Sequence, residues 1–148
     1  MMVAVTDGFE PSCLFCRIAA GSELADIVLE TDEVVAFLDV RPVFKGHVLV
    51  VPRFHVVTLP ELPSDLYSPL LAATSRIAAA VVDGLAAQGS FVAMNNVVSQ
   101  SVPHLHAHVI PRTKGDGLRG FFWPRLRYAD GEAAGFAEKL RTSLASAS

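Results

Sequence analysis

Long apolar runs are missing from this chain: the longest uninterrupted one is Ile77 to Val82, far short of the roughly 20 residues that cross a bilayer. The expectation is a protein with no membrane span. Charge is also sparse. Asp, Glu, Lys and Arg make up 18% of the residues with a net charge of −3, a balance unsuited to coating nucleic acid, where Lys and Arg at phosphates dominate binding. Any phosphate site must be local. A secretory leader would show a basic start and a hydrophobic centre, whereas Asp7 and Glu10 precede any sustained apolar stretch, so the expected location is cytoplasmic. Cysteine is confined to Cys13 and Cys16, and in a reducing compartment a Cys-x-x-Cys spacing points to a metal or redox pair rather than a structural disulfide. Internal repeats and low-complexity tracts are absent too. What is present is a 148-residue chain that is 51% hydrophobic. That suffices for one core, and the expected organisation is a tail over 1–12 and a single domain over 13–148.

Punctuation and periodicity predict the elements. Leu14 to Ala20 reads as a short helical turn closed by Gly21. Ile27 to Glu30, Val34 to Asp39 and His47 to Val51 read as strands of an antiparallel meander, with a Pro42/Gly46 turn before the third. A long helix begins at Ser64 or Ser68 and places Leu66, Leu70, Ile77, Val81 and Leu85 on one face; Ser68-Pro69 fits cap and first-turn positions, with a kink expected near Pro69. Phe91 to Met94 and His104 to Ile110 are two further strands, and Phe136, Leu140 and Leu144 mark a C-terminal helix over about 130–146. The order predicts an α+β fold, an antiparallel sheet of about five strands packed on one long helix.

All five histidines fall between His47 and His108, and three of them alternate with apolar residues in His104-Leu105-His106-Ala107-His108-Val109-Ile110. On a strand the imidazoles share one face at about 6–7 Å spacing while Leu105, Ala107 and Val109 face the core. A neutral imidazole near pH 7 is a competent nucleophile when its other nitrogen is held by a hydrogen bond. Two other readings stand beside that one. One or two of these rings are satisfied core histidines, or neighbouring histidines share a catalytic metal. The last reading lacks a carboxylate, the nearest downstream acid being Asp116.

The segment His104 to Ile110, with Gln100-Ser101-Val102 before it, resembles the histidine triad family, whose motif is His-φ-His-φ-His-φ-φ with φ apolar. The resemblance runs from Cys13 to about Trp123 and is greatest to the branch of nucleoside phosphoramidases and bacterial zinc-containing members. It implies a nucleotide hydrolase or transferase in which His106 attacks an α-phosphorus and a nucleotidyl-histidine is then hydrolysed. The implied substrate is a nucleoside phosphoramidate or dinucleoside polyphosphate. His108 would donate to a phosphate oxygen, Ser101 would assist the leaving group, Gln100 would contact the α-phosphate, and His47 would set protonation in the site. The other outcomes kept open are a nucleotide-binding module without physiological turnover and a metal-dependent hydrolase.

The same resemblance implies a second centre and a nucleoside pocket. Cys13-Leu14-Phe15-Cys16 is similar to the start of zinc-binding members, whose remaining ligands fall here on His55 and His104, giving a structural Cys₂His₂ zinc. Phe37, Leu38, Asp39 and Val40 match the nucleoside pocket, with Asp39 accepting from ribose hydroxyls and a purine as the favoured base. A homodimer is implied as well. The match departs at Asn95-Asn96-Val97-Val98-Ser99, which is shorter than the family's loop and lacks its glycines, so whether Asn95 or Asn96 meets substrate is left open. Lys114 to Gly117 and Arg119 to Trp123 read as a basic, aromatic flap.

Overall fold

The computed structural model of the protein describes residues 8–118 and 125–146. The chain divides into two compact units, 1–116 and 117–148. Arg119 to Trp123, most of the expected flap, lies outside the described residues. The second unit contains helix α3, Glu132–Ser146, close to the expected bounds. Its Phe136 ring lies 5.9 Å from Tyr128, and Arg141 pairs with Glu138 one turn away at 2.8 Å.

The first unit is built on five strands, β1 Ile27–Glu30, β2 Val34–Leu38, β3 Val48–Pro52, β4 Gly89–Met94 and β5 Ala107–Arg112, with helices α1 Leu14–Ala19 and α2 Tyr67–Leu85. The sheet order is β1-β2-β3-β5-β4 and every neighbouring pair is antiparallel. The expected α+β architecture is therefore the observed one. β2 and β3 are buried on both faces, and the pleat sends alternate residues to two different cores. Val34, Ala36, Val48 and Val50 join Leu70, Ala73, Ile77 and Val81 of α2, together with Leu105, Ala107 and Val109. Val35, Phe37, Leu49 and Val51 join Phe15, Cys16 and Ile18 of α1. The thin α1 side, with only a short helix over it, leaves room for a cavity.

Four sequence expectations are corrected. α2 starts at Tyr67, with Leu66 at its N-cap and no side-chain capping bond, so Ser68 is not the cap. No break occurs at Pro69, which sits in the first turn where its missing N–H has no partner to lose; the 3₁₀ turn Ser64–Leu66 leads directly into the helix. Leu85 ends the helix 55% exposed instead of joining the apolar face. The fourth correction concerns β5, which begins at Ala107 and not at His104. Met94, the last residue of β4, pairs with Ala107, and Val50 of β3 pairs with the same residue. Beyond that point β4 has ended and β3 runs into Pro52, which has no N–H to give the ladder. His104 to His106 is consequently free of the sheet: His104 ends a bend with its N–H donating to Val102 O at 2.8 Å, and Leu105 N–H donates to Val56 O at 2.7 Å. Among the described residues no helix is long and apolar enough to cross a membrane.

Candidate active site and metal centre

The end of the β5 ladder releases two carbonyls, and each holds a histidine. Nε2–H of His104 donates to Pro52 O at 2.8 Å, and Nδ1–H of His106 donates to His104 O at 2.7 Å. A carbonyl only accepts, so each bond fixes a tautomer. His104 keeps its lone pair on Nδ1 and His106 keeps its lone pair on Nε2. His108, inside the ladder opposite Leu49, shares the α1 face with them. The His106 and His108 ring centroids are 4.9 Å apart, closer than the strand repeat predicts because His106 lies off the ladder.

His47 completes the row. Val43 N–H donates to its Nδ1 at 3.1 Å, which leaves Nε2–H to donate to Nδ1 of His108 at 2.9 Å. His108 then carries its own proton on Nε2. Burial pushes the His108 imidazole down to about 4, with the neighbouring His106 and His47 adding to the shift. His47 is lowered for the same primary reason, against an opposing pull from the Asp39 carboxylate. Both rings are neutral at pH 7. One N–H donor, on His108, and one lone pair, on His106, therefore stand side by side.

These rings line a cavity of about 660 Å³ whose walls also include Phe37, Leu38, Asp39, Val40, Ser101 and Val102. Phe37 is 3% exposed and Leu38 36%, so the pleat makes one a core residue and the other a rim residue. Asp39 is oriented by Arg41 N–H, which donates to Oδ1 at 2.8 Å. Sequence reasoning missed Leu14, Ile18, Leu24 and Arg41, which line the same cavity. Leu14 and Ile18, four apart on α1, were legible as one helix face. Phe15 was missed as well; its ring lies edge-on to Phe37, His104 and His106 at 5.3, 5.9 and 5.2 Å.

Gln100 and Asn95 do not line the cavity. Gln100 donates from Nε2 to Val57 O at 2.6 Å and accepts Val97 N–H at 2.9 Å. Asn95 donates to Ser99 O at 3.3 Å, and Asn96 accepts Leu59 N–H at 2.7 Å. These bonds brace a loop in which Val97 and Ser99 take φ of 71° and 63°, conformations that cost non-glycine residues about 1–3 kcal/mol each. The missing glycines are thus replaced by cross-bracing. Downstream, Asp116 is taken by Arg112 at 2.6 Å, and Lys114 N–H donates to Gln88 at 2.7 Å.

The second centre is a cluster of Cys13, Cys16, His55 and His104, whose donor atoms all lie within 4.8 Å of one another. Cys13 is the N-cap of α1 and Cys16 lies in its first turn, which turns both thiols to the same side. Cys13 Sγ and Cys16 Sγ are 3.3 and 3.5 Å from His104 Nδ1. Cys16 Sγ is 3.4 Å from His55 Nδ1, and the two Nδ1 atoms are 3.2 Å apart. A zinc tetrahedron with ordinary bond lengths has N–N edges of about 3.3 Å and S–N edges of about 3.6 Å, so the four donors fit a metal of that size. Burial drives the Cys16 thiol up to about 11, a preference that a divalent cation reverses. Both cysteines are free of disulfides. In a further group, Asp39, His47 and His108, the two rings are hydrogen-bonded to each other and the carboxylate accepts Arg41 N–H.

A five-stranded antiparallel sheet with one long helix, a histidine row at its cavity and a thiol–imidazole cluster behind it define a HIT-domain protein. The HIT domain model matches residues 21–115, and the chain belongs to the HIT, or histidine triad, family. A HIT-like protein of Methanocaldococcus jannaschii is 39% identical over 107 residues, 71% of this chain and 82% of that protein. The adenosine 5'-monophosphoramidase hnt1 of Schizosaccharomyces pombe is 29% identical over 90% of this chain and 98% of its own length. The crystal structure of a Zn-bound histidine triad family protein from Mycobacterium smegmatis has a TM-score of 0.69 at 34% identity and covers 93% of this chain and 98% of that one.

Proposed function

We propose that the protein is a nucleotide hydrolase or transferase acting at the α-phosphate of a nucleoside phosphoramidate or dinucleoside polyphosphate. The observation that carries this reading is the tautomer of His106. With Nδ1–H given to His104 O, the ring offers Nε2 as a nucleophile at the wall of a cavity large enough for a nucleotide. Attack of Nε2 on phosphorus expels the leaving group and yields a nucleotidyl-His106, which water then hydrolyses. The developing imidazolium is stabilised by the same carbonyl that set the tautomer.

His108 donates from Nε2 to a non-bridging oxygen as charge builds there, with His47 holding the ring. Ser101 serves the leaving group. Phe37, Leu38 and Val40, with Leu14 and Ile18, hold the base, for which a purine is favoured, and Asp39 takes the ribose hydroxyls. Gln100 and Asn95 act by holding the loop that carries Ser101. Cys13, Cys16, His55 and His104 would hold zinc; four protein donors leave no position open for water, so its contribution is to tie α1 to the His104 segment. The name of the S. pombe relative supports the phosphoramidate, and the M. smegmatis structure supports the zinc. A cytoplasmic homodimer completes the reading, to be checked by light scattering on the purified protein.

Turnover of a panel of adenosine and guanosine phosphoramidates and dinucleoside polyphosphates, with all products resolved, tests the reaction, the base and the leaving group together. Nucleotide binding without turnover across the whole panel would instead make this a binding module.

A further inference from the structure

Besides the histidines, three charged side chains stand in the wall of the cavity: Glu23, Asp39 and Arg41. The reaction proposed above uses Asp39 and leaves the other two without a task. Leu14, Ile18, Leu24, Phe37, Leu38 and Val40 of the same wall carry no hydrogen-bonding side-chain group, so they hold a base without telling one purine from another. Arg41 presents donors only and cannot receive the N–H groups of a base. Glu23 can.

The chain places Glu23 on the side of the cavity away from the phosphate-binding rings. α1 closes with Gly21 N–H donating to Ile18 O at 3.0 Å and Ser22 N–H to Arg17 O at 2.9 Å, so Glu23 follows directly on the helix that supplies Leu14 and Ile18. The segment then enters β1 beside β2, where Leu38 N–H donates to Asp26 O at 3.0 Å and Ile27 pairs with Phe37. His108 lies on the other side of Phe37, across Leu49 of β3. Glu23 is also braced: Arg17 Nε donates to its Oε2 at 3.3 Å, and Arg17 Nη1 donates to Pro11 O at 3.1 Å. Among the described residues Oε1 has no hydrogen bond. With its side chain 44% exposed, the carboxylate stands at the mouth, where the outer edge of a bound base meets solvent.

We infer that Glu23 is the residue that selects the base, and that the base it selects is guanine; this rests on the nucleotide site proposed above. Guanine presents two neighbouring donors, N1–H and the 2-amino group, to a carboxylate with two acceptor oxygens. Both bonds are charge-assisted. Adenine presents a lone pair on N1 beside its 6-amino group, so one carboxylate oxygen would meet a lone pair. Hypoxanthine keeps N1–H and lacks the 2-amino group. The affinity order is therefore guanine, hypoxanthine, adenine, with adenine still accepted by the apolar walls.

The test is calorimetric titration of the wild type and Glu23→Gln with GMP, IMP and AMP, which needs no turnover. The wild type should bind GMP about 10-fold tighter than AMP, toward the lower end of what a bidentate base contact supplies because the site is open to water, with IMP between them. The Gln amide offers one acceptor and one donor, which match the 6-amino group and N1 of adenine and mismatch guanine. Glu23→Gln should therefore bind AMP tighter than GMP. A carboxylate that serves only as the ion-pair partner of Arg17 would change all three affinities alike. Equal affinity of the wild type for GMP and AMP, or a ratio unchanged in Glu23→Gln, would overturn the inference. Binding in the expected order with no phosphoramidate turned over would uphold Glu23 as the selector and overturn the reaction.

Discussion

The carbonyl oxygen of His104 lies 2.7 Å from Nδ1 of His106, so one residue contributes its ring to the thiol cluster and its backbone to the nucleophile. The two centres are adjacent through a single peptide. Phe15, between the two cysteines, packs on both rings and reinforces that junction.

Metal content follows from the donor geometry. The purified protein should carry about one zinc per chain, released when Cys13 and Cys16 are both changed to Ser, with a lower melting temperature because binding energy is folding energy. His104→Ala should match the double variant in metal content. It retains the carbonyl that fixes His106, so its rate should fall by less than that of His106→Ala. Elemental analysis that finds no metal in freshly purified protein, with both thiols titrating freely in the native state, would refute the site.

The N-terminal approach to the cluster depends on Gly8. Its φ is +92°, and a Cβ there would clash with the ring of Phe54. Its carbonyl accepts the N–H of His55 at 2.6 Å. Gly8→Ala should cost about 1–2 kcal/mol for the left-handed backbone, plus the displacement of Phe54, and should weaken metal retention against a chelator. Gly21→Ala is the comparison, since φ is +80° but nothing lies within 4 Å of its Cβ. Chemical denaturation should show the larger loss for Gly8→Ala. Equal losses would remove Phe54 from the account.

Acid stability carries the mark of the neutral histidine row. His108 titrates near 4 in the folded protein and near 6.5 when unfolded, so between those values the unfolded chain binds a proton that the folded chain refuses. Stability should therefore fall as pH drops from about 6.5 to about 4, by at most about 3 kcal/mol from this ring and less where solvent reaches it. His47 acts in the same direction. His108→Asn should flatten that part of the curve in urea denaturation measured at several pH values. Metal loss in acid lowers both proteins alike, so the difference between them isolates His108, and parallel curves would contradict its depressed titration.

Much of this arrangement was legible in the residues. Period-two alternation put Leu105, Ala107 and Val109 in the core, where each is fully buried, and a Cys-x-x-Cys before an apolar turn placed both thiols on α1. The start of β5 was not legible, because alternation persists through His104 to His106 while the hydrogen bonds do not. What ends the ladder is Pro52 on β3 and the exit of β4 after Met94, both distant in sequence. Ser68 looked like a helix cap because Ser-Pro is a local signal, yet the 3₁₀ turn before it already supplies the helical entry. Gln100 was assigned to the phosphate by resemblance, and only the fold shows its amide bonded to Val57 O and Val97 N–H. Leu14 and Ile18 carried a helix-face signal, but which cavity that face lines depends on the hairpin that brings Asp39 opposite.

The central claim is that His106 Nε2 is the nucleophile. Removing a nucleophile while the rest of the site still binds substrate commonly costs on the order of 10³–10⁶ in rate, so His106→Ala should bind nucleotide and scarcely turn it over. His108→Ala, losing one donor, should lose about 10²–10³. The most direct measurement is mass spectrometry of the peptide spanning His104 to His108, after quenching an adenosine phosphoramidate reaction without acid. The account predicts an adenylyl adduct on His106 alone; an adduct on any other residue, or near-wild-type turnover by His106→Ala, would contradict it.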